Sequence, residues 1–169
     1  MDQVSFERVY AQTAEPLRKY VMHVVGRVST ADDIVQDTYM RFVLRPPGGR
    51  HPRQVRAYLF TIATNLIRDH WRERRHDPMA HELPDTPAST RDYSLRLDMD
   101  RALRRLRPRE RQLLWLAHVE GVDHRAIAEM IGLKHKSVRV LLFRARKALA
   151  RHLQDAGYRT RGDQCPIRS

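Results

Sequence analysis

The sequence is poor in residues that build covalent or metal-based sites. Cysteine occurs once, at Cys165, so neither an internal disulfide nor a cysteine-based metal cluster can form. The nine histidines lack metal-ligand spacing: His118 and His124 are six positions apart, and His135 falls in a predicted turn rather than on one helical face with either of them. We therefore predict no metal, no cofactor and no catalytic residue.

Long apolar runs are also missing. No stretch approaches the roughly 18 to 20 apolar residues that span a bilayer. The start, MDQVSFERVY, lacks the succession of basic, apolar and small residues found in a signal peptide. The alternating pattern of half-buried strands is absent as well. These absences predict an all-α protein of the cytoplasm.

Acidic residues are the minority: 32 Lys and Arg stand against 20 Asp and Glu, a net charge of +12. Such an excess predicts an anionic partner, either nucleic acid or an anionic membrane surface. The middle stretch HDPMAHELPDTPASTRDYS is instead acidic, contains three prolines and has no helical period, which is typical of a tether. We predict two small helical domains, at 1–75 and 97–153. A flexible acidic linker at 76–96 joins them, and a tail at 154–169 follows the second.

The stretch from Gly121 to Arg151, GVDHRAIAEMIGLKHKSVRVLLFRARKALAR, has the pattern of a helix, a tight turn and a longer basic helix. Asp123 is placed to cap the first helix, and Gly132 supplies the positive φ that often follows a helix end. The second helix restarts near Lys136. Apolar positions at helical spacing predict the buried stripes, which are Ile127, Ala128 and Ile131, then Val138, Leu142, Ala145 and Leu149. This pattern indicates a helix-turn-helix DNA reader.

The opposite side of the second helix is cationic. It carries four basic residues and two apolar ones: Lys136, Arg139, Val140, Phe143, Arg144 and Lys147. The major groove of duplex DNA accepts a helix of this kind. A solvated basic face on an ordinary helical hairpin is the alternative that this stretch alone leaves open.

Near the N-terminus, Pro16 predicts a kink or a break in the helical pattern of SFERVYAQTAEPLRKYVMHVVG. The next segment, STADDIVQDTYMRFVL, predicts a helix capped by Ser29 or Thr30, with Asp32 and Asp33 near the positive end of its dipole. Its inward residues are Ile34, Val35, Thr38, Tyr39 and Phe42. The outward polar face with its exposed Met40 suits a protein partner. The alternative is that the carboxylates only stabilise the helix start.

Prolines and paired glycines make RPPGGRHPRQ a basic loop. It leads into VRAYLFTIATNLIRDHWRERR, a helix whose apolar stripe is Leu59, Ile62, Ala63, Leu66 and Ile67. The outer side interleaves arginines with Tyr58, Asn65 and Trp71. Single-stranded DNA binding uses such a set, since arginines pair with phosphates and bases stack on rings. The alternative is that Tyr58 and Trp71 belong to the core.

The second domain begins near Leu97. Met99, Ala102, Leu103 and Leu106 share one helical face there, and Pro108 is predicted to start a new helix. The residues predicted to pack behind the helix-turn-helix are Leu113, Leu114, Leu116, Ala117 and Val119. A compact helical bundle is expected.

Taken in order, DDIVQDTYMRF, VRAYLFTIATNLIRDHWRERR and LRPRERQLLWLAHVEGVDHRAIAEMIGLKHKSVRVLLFRARKAL resemble the extracytoplasmic-function (ECF) sigma factors, the two-domain initiation factors of bacterial transcription. The resemblance covers about residues 5 to 153. The sequence VRAYLFTIATNLIRDH resembles the iron-uptake subgroup most. The resemblance implies sigma region 2 in 1–75, sigma region 4 in 97–153 and no enzymatic activity.

The resemblance implies three interfaces. The first is with the clamp helices of the largest RNA polymerase subunit. The residues implied to dock there are Asp32, Asp33, Gln36, Asp37 and Arg41. By this resemblance, the loop from Arg45 to Gln54 and the next helix open and hold the minus-ten promoter element. The residues implied are Arg45, Arg50, Arg53, Arg56, Tyr58, Asn65, Arg68 and Arg72. Reading the minus-thirty-five element falls to Lys136, Ser137, Arg139, Phe143, Arg144 and Lys147. The implied partners are core RNA polymerase, promoter DNA and an anti-sigma factor or membrane-associated regulator, without a small-molecule substrate.

The chain departs from the family's pattern in the helix-turn-helix. Val140 and Leu141 stand where a small polar residue and an arginine are usual. A stand-alone helix-turn-helix transcriptional regulator is the alternative function, although the first domain offers neither an effector pocket nor a phospho-acceptor. A recombinase-type enzyme is not favoured, because it needs a mixed α/β catalytic domain and the sequence has no strand pattern.

Overall fold

The computed structural model describes residues 3–48, 51–74 and 94–158, with side chains from Phe6 in the first stretch and from Asp98 in the last. These residues form helices and no strands, as predicted. The helices are α1 Gln3–Val25, α2 Val28–Leu44, α3 Pro52–Arg74, α4 Ser94–Arg105, α5 Pro108–Leu114, α6 His124–Ile131 and α7 His135–Asp155. A single π-helical turn, Trp115–Val119, follows α5. None of the described helices is both long and apolar enough to span a membrane.

The first module consists of α1, α2 and α3, which pack against one another. The apolar stripe predicted for α3 is buried along its whole length. Tyr20, Phe42 and Phe60 are the largest side chains of this core. The hydroxyl groups of Thr13 and Tyr39 lie 2.8 Å apart and join α1 to α2 within the packed interior. Apolar burial, the main driving force for folding, therefore fixes which face of α3 points outward.

The structure departs from two predictions for this module. Pro16 was predicted to kink or break the helix, and α1 runs through it without a break. Proline removes the bond to the carbonyl of Gln12, but Gln12 is exposed and water can satisfy that carbonyl. The helix α2 begins at Val28 rather than after a Ser or Thr cap, because Gly26 turns the chain at φ 77° and the carbonyl of Arg27 already accepts the first helical bond.

This earlier start changes the environment of the two carboxylates predicted at the positive end of the dipole. Ser29 and Thr30 lie inside the first turn, which contains no acidic residue. Asp32 and Asp33 fall in the second turn, and the dipole effect declines beyond the first. The dipole is therefore not the reason for their presence on α2.

The second module follows the predicted helix-turn-helix closely. Asp123 caps α6: its Oδ1 atom accepts hydrogen bonds from the backbone N–H groups of Arg125 and Ala126, each at 2.9 Å. Gly132 ends α6 at φ 70°, and α7 begins at His135, one residue before the predicted restart. Six of the seven stripe residues are buried, and Leu149 is half-buried. Pro108 starts α5 as predicted.

Val119 is an exception to the predicted packing. Its side chain is exposed, whereas Leu113, Leu114 and Leu116 are buried as expected. The π-helical turn holds one more residue per turn than an α-helix, and the bond from the N–H of Glu120 to the carbonyl of Trp115 closes it at 3.1 Å. The extra residue rotates Val119 away from the core.

The two modules pack together through α1 with α5 and α3 with α6. The Gln112 Nε2 group donates a hydrogen bond of 2.9 Å to the Tyr20 hydroxyl, which also lies 2.8 Å from the hydroxyl of Thr64. All three residues are buried, so this polar chain joins the interiors of both modules. Most of the predicted linker 76–96 lies outside the described residues, and α4 already begins at Ser94.

Candidate nucleic-acid interface

The outward face of α7 is strongly cationic. Lys136, Arg139, Arg144 and Lys147 are all exposed, and none of them pairs with a carboxylate of a described residue. Phe143 is exposed beside them, and Ser137 is half-buried at the edge of the face. This part of the predicted site is therefore brought together on one surface.

The sequence around α7 explains why this face points outward. Val138, Leu142 and Ala145 are almost completely buried and anchor the opposite side of the helix. The turn before α7 is fixed by the αL conformation of Gly132 and by the bond from the N–H of Leu133 to the carbonyl of Ala128, at 2.8 Å. The backbone N–H of Ala126, helped by that of Arg125, holds the pKa of Asp123 below its usual value, so the cap stays ionised at neutral pH.

The polar face of α2 is exposed as predicted. Asp33, Gln36, Asp37 and Arg41 are exposed, with the apolar side chain of Met40 among them. Asp32 is exposed too, but Arg18 holds it in a two-pronged ion pair with N–O distances of 2.7 and 3.3 Å. Asp33 and Asp37 have no such partner among the described residues. These two carboxylates are the free charges of this face.

The residues predicted to hold the minus-ten element do not all share one face. Tyr58, Asn65, Arg68 and Arg72 are spaced so that they fall on the outer side of α3. Tyr58 is half-buried and its hydroxyl donates to the carbonyl of Arg45 at 3.3 Å, which ties the loop to the helix. Arg45 is exposed at the start of the loop. The predicted loop ends three residues early, because α3 begins at Pro52, a residue suited to the first helical position, and Arg53 is exposed in the first turn of α3. Arg50 lies outside the described residues.

Arg56 projects from the packed side of α3 instead. Both its Nε and its Nη2 groups donate to the Oε2 atom of Glu120, at 3.0 and 2.6 Å. Its guanidinium also lies 5.2 Å from the centroid of the Phe60 ring. Only 5% of the Glu120 side chain is exposed, against 38% of that of Arg56. In this arrangement Arg56 joins the two modules rather than facing solvent.

Arg68 also approaches the second module. Its Nη1 atom lies 3.4 Å from the position that a Cβ atom on Gly132 would occupy. The helix-turn-helix turn is therefore close to the outer edge of α3. The predicted minus-ten surface thus borders the second module at both Arg56 and Arg68.

Sequence reasoning missed Glu120 and Gln112, which carry the contacts between modules. One signal was available for Arg56: it precedes Phe60, Ala63 and Ile67 by four, seven and eleven positions, the spacing of a single helical face. All three of those residues are buried. The same spacing that predicts the apolar stripe therefore places Arg56 on it.

No metal centre appears among the described residues, where no group of three or more His, Cys, Asp or Glu side chains could hold an ion. What the geometry offers is a set of charged and apolar contacts for large partners.

Comparison with known proteins supports this interpretation. The family described as Sigma-70 region 2 matches residues 9–76, and Sigma-70, region 4 matches residues 96–149. The RNA polymerase sigma factor CarQ of Myxococcus xanthus is 32% identical over 154 residues, covering 87% of this chain and 88% of CarQ. The ECF RNA polymerase sigma factor BldN of Streptomyces coelicolor is 29% identical over 164 residues, covering 89% of this chain and 61% of BldN.

A solved structure shows the same fold. The sigma factor RpoE, in complex with the anti-sigma factor NepR from Bartonella quintana, superposes with a TM-score of 0.75 over 89% of this chain and 97% of that one, at 24% identity. In this chain the match to region 2 precedes the match to region 4, the two lie in separate modules, and the helix-turn-helix is in the second. The chain belongs to the extracytoplasmic-function (ECF) family of RNA polymerase sigma factors.

Proposed function

We propose that the chain is an alternative sigma factor that binds core RNA polymerase, directs it to specific promoters and helps to open the DNA. The observation that carries this proposal is the unpaired cationic face of α7, held outward by a buried stripe in a module that matches Sigma-70, region 4. The stand-alone helix-turn-helix regulator is not favoured, because residues 9–76 match Sigma-70 region 2 rather than an effector-sensing domain.

Polymerase binding belongs to the exposed polar face of α2. Met40, with 57% of its surface exposed, gives that face an apolar centre, and Asp33, Gln36, Asp37 and Arg41 give it a charged rim. Protein interfaces combine an apolar centre with a polar rim in this way. Asp32 is engaged by Arg18, so the main electrostatic contribution is expected from Asp33 and Asp37.

Promoter opening belongs to the outer side of α3 and the loop before it. Tyr58 and Asn65 offer a ring and an amide to unpaired bases, and Arg68 and Arg72 offer charge to phosphates. Arg45, Arg50 and Arg53 extend the cationic surface along the loop. Capture of extruded bases by these groups offsets the free energy of unpairing, while the polymerase performs the chemistry. Arg56 can join this surface only when it leaves Glu120.

Reading of the minus-thirty-five element belongs to α7. Arg139 and Arg144 are the bidentate donors of its outer face, and guanine edges are their expected targets. Lys136 and Lys147 are point charges suited to phosphates. Ser137, near the start of the helix, adds a hydroxyl group.

The remaining assignments follow from this function. We assign residues 1–75 to region 2, 76–96 to a linker, 97–153 to region 4 and 154–169 to a tail. Because polymerase and its promoters are in the cytoplasm, we place the chain there and ascribe no enzymatic activity to it. An anti-sigma factor or membrane-associated regulator is the proposed controlling partner, as NepR is for the fold relative RpoE. The iron-uptake subgroup is proposed from the α3 sequence and is tested by the genes transcribed.

The first experiment is capture of the full chain by core RNA polymerase, followed by run-off transcription on genomic fragments. Asp33→Lys and Asp37→Lys should each weaken capture while circular dichroism stays unchanged. Glu15→Lys is the control for charge reversal, because Glu15 is an exposed carboxylate on a different helix, α1, where it pairs with Lys19. Equal capture by all variants would remove α2 as the docking helix, and loss of helicity would show that the carboxylates only stabilise it.

The second experiment tests α7 in the holoenzyme on a fork-junction promoter. Arg139→Ala and Arg144→Ala should each cost about 1 to 3 kcal/mol and relax preference at one base pair. Lys147→Ala should weaken all sequences alike and flatten the slope of log affinity against log salt by about one unit. Unchanged promoter preference in both arginine variants would show that α7 is not the reader.

A further inference from the structure

Two apolar side chains stand on the outward face of α7 without a partner in the described chain. Val140 is 50% exposed and Phe143 is 62% exposed. They lie three positions apart, so their side chains are neighbours on the helix surface. The two side chains therefore form a small apolar patch on the outward face of α7.

Cations surround the pair. Lys136 precedes Val140 by four positions and Arg144 follows it by four, while Arg139 and Lys147 flank Phe143 in the same way. All four cations are exposed. An occupant of this face must therefore be anionic around its edge and apolar at its centre. Duplex DNA meets both conditions, since its phosphates border a major groove in which thymine presents a methyl group.

We propose that Val140 and Phe143 select thymine in the promoter duplex by apolar contact with its 5-methyl group. This inference rests on the proposed function of α7 as the reader of the minus-thirty-five element. Thymine is the only base that carries a methyl group in the major groove, so an apolar contact there distinguishes it from the other three. Arg139 and Arg144 would read guanine on either side of it.

The geometry of Val140 suits this role. It lies in the second turn of α7, which begins at His135, and the first turns of a recognition helix are the part that meets base edges. A valine in a helix is almost confined to one rotamer. Its two methyl groups are therefore already fixed before DNA binds, and little side-chain freedom is lost in the contact.

The test begins with selection. The holoenzyme, with wild-type chain, selects from duplexes that are randomised in the upstream element and constant in the minus-ten region. The selected element should contain thymine, on one strand or the other. Each thymine is then replaced by deoxyuridine, which removes the methyl group and leaves the hydrogen-bonding edge intact. At one or two positions the wild-type holoenzyme should bind the deoxyuridine duplex about fourfold more weakly, the value of one buried methyl group.

The variants locate the contact. Val140→Ala and Phe143→Ala should each bring the thymine-to-deoxyuridine ratio to about one at its own position, while preference for guanine is kept. Val119→Ala is the matched control, because Val119 is similarly exposed but lies on the π-helical turn. It should leave the ratio unchanged.

The possible failures are distinguishable. A wild-type ratio near one at every thymine, with sequence preference intact, overturns this inference and assigns the apolar pair to a protein partner or to solvent. A ratio that survives in both variants overturns it as well, because another residue must then contact the methyl group. Absence of any upstream preference in the wild-type holoenzyme instead overturns the proposed function of α7.

Discussion

Replacing Arg56 and Glu120, singly and together, measures what their ion pair contributes to the packing of the two modules. We choose Arg56→Met, which keeps an apolar stem, and Glu120→Gln, which keeps the shape of the side chain. Arg56→Met should be the more damaging single change, because it leaves the nearly buried Glu120 carboxylate without its partner. The double variant removes both charges and should recover part of that loss.

The structure sets the expected magnitude. Two N–H groups of Arg56 donate to one carboxylate oxygen, at 3.0 and 2.6 Å, and hydrogen bonds to charged groups contribute about 1.5 to 3 kcal/mol. The pair Arg125 and Glu129 provides a comparison. Its N–O distance is 3.7 Å and both side chains are largely exposed, so its coupling should be about 0.3 to 0.5 kcal/mol.

The assay is urea unfolding of the full chain for both double-mutant cycles. We expect a coupling free energy of about 1.5 to 3 kcal/mol for Arg56 with Glu120, several times that of the exposed pair. Equal coupling in the two cycles would refute the reasoning, since burial of Glu120 would then have no energetic effect. Destabilisation by Glu120→Gln with no coupling to Arg56→Met would show that Glu120 acts through another neighbour.

Three further predictions concern single residues. Burial raises the pKa of Tyr20 to about 12, so the free energy of unfolding should fall by up to about 3 kcal/mol as the pH rises from 10 to about 12. Urea unfolding of Tyr20→Phe should show a smaller decline, to which Tyr39 still contributes because burial raises its pKa as well. Asp123→Ala should cost about 0.5 to 2 kcal/mol through loss of the α6 cap, whereas Asp123→Asn should retain most of it; a cost equal in both variants would contradict the capping role. Gly132→Ala should cost about 1 to 2 kcal/mol in thermal unfolding because its φ of 70° strains a Cβ, and Gly132→Asn should cost less.

The features predicted correctly from the sequence are those set by residues a few positions apart. The cap at Asp123, the αL turn at Gly132, the start of α5 at Pro108 and the outward face of α7 all depend on local chemistry and helical periodicity. The errors arose where a local sequence signal and the packing of neighbouring residues favour different structures. Pro16 was expected to kink or break α1; no break occurs, because the packing of Leu17 and Tyr20 keeps that helix continuous around an exposed carbonyl.

The contacts between modules could not be predicted because they join distant parts of the chain. Tyr20 and Gln112 are separated by 92 positions, and Arg56 and Glu120 by 64. Periodicity shows that Arg56 lies on the packed face of α3, but it does not show what it meets there. An isolated arginine on an apolar stripe therefore indicates a buried partner without naming it, and in this chain that partner is Glu120.

The packing of α3 against α6 also bears on the distance along a promoter that the two modules can span. The minus-ten and minus-thirty-five elements are about 25 base pairs apart, which is roughly 85 Å at 3.4 Å per base pair. A 23-residue helix such as α3 is only about 35 Å long. On the proposed function, a helix of this length spans less than half of that distance, so the modules would have to separate to reach both elements. On the proposed function, residues 75–93, which could extend at most about 65 Å, would allow the separation that such a promoter requires, and Arg56 would be released from Glu120 as the modules part.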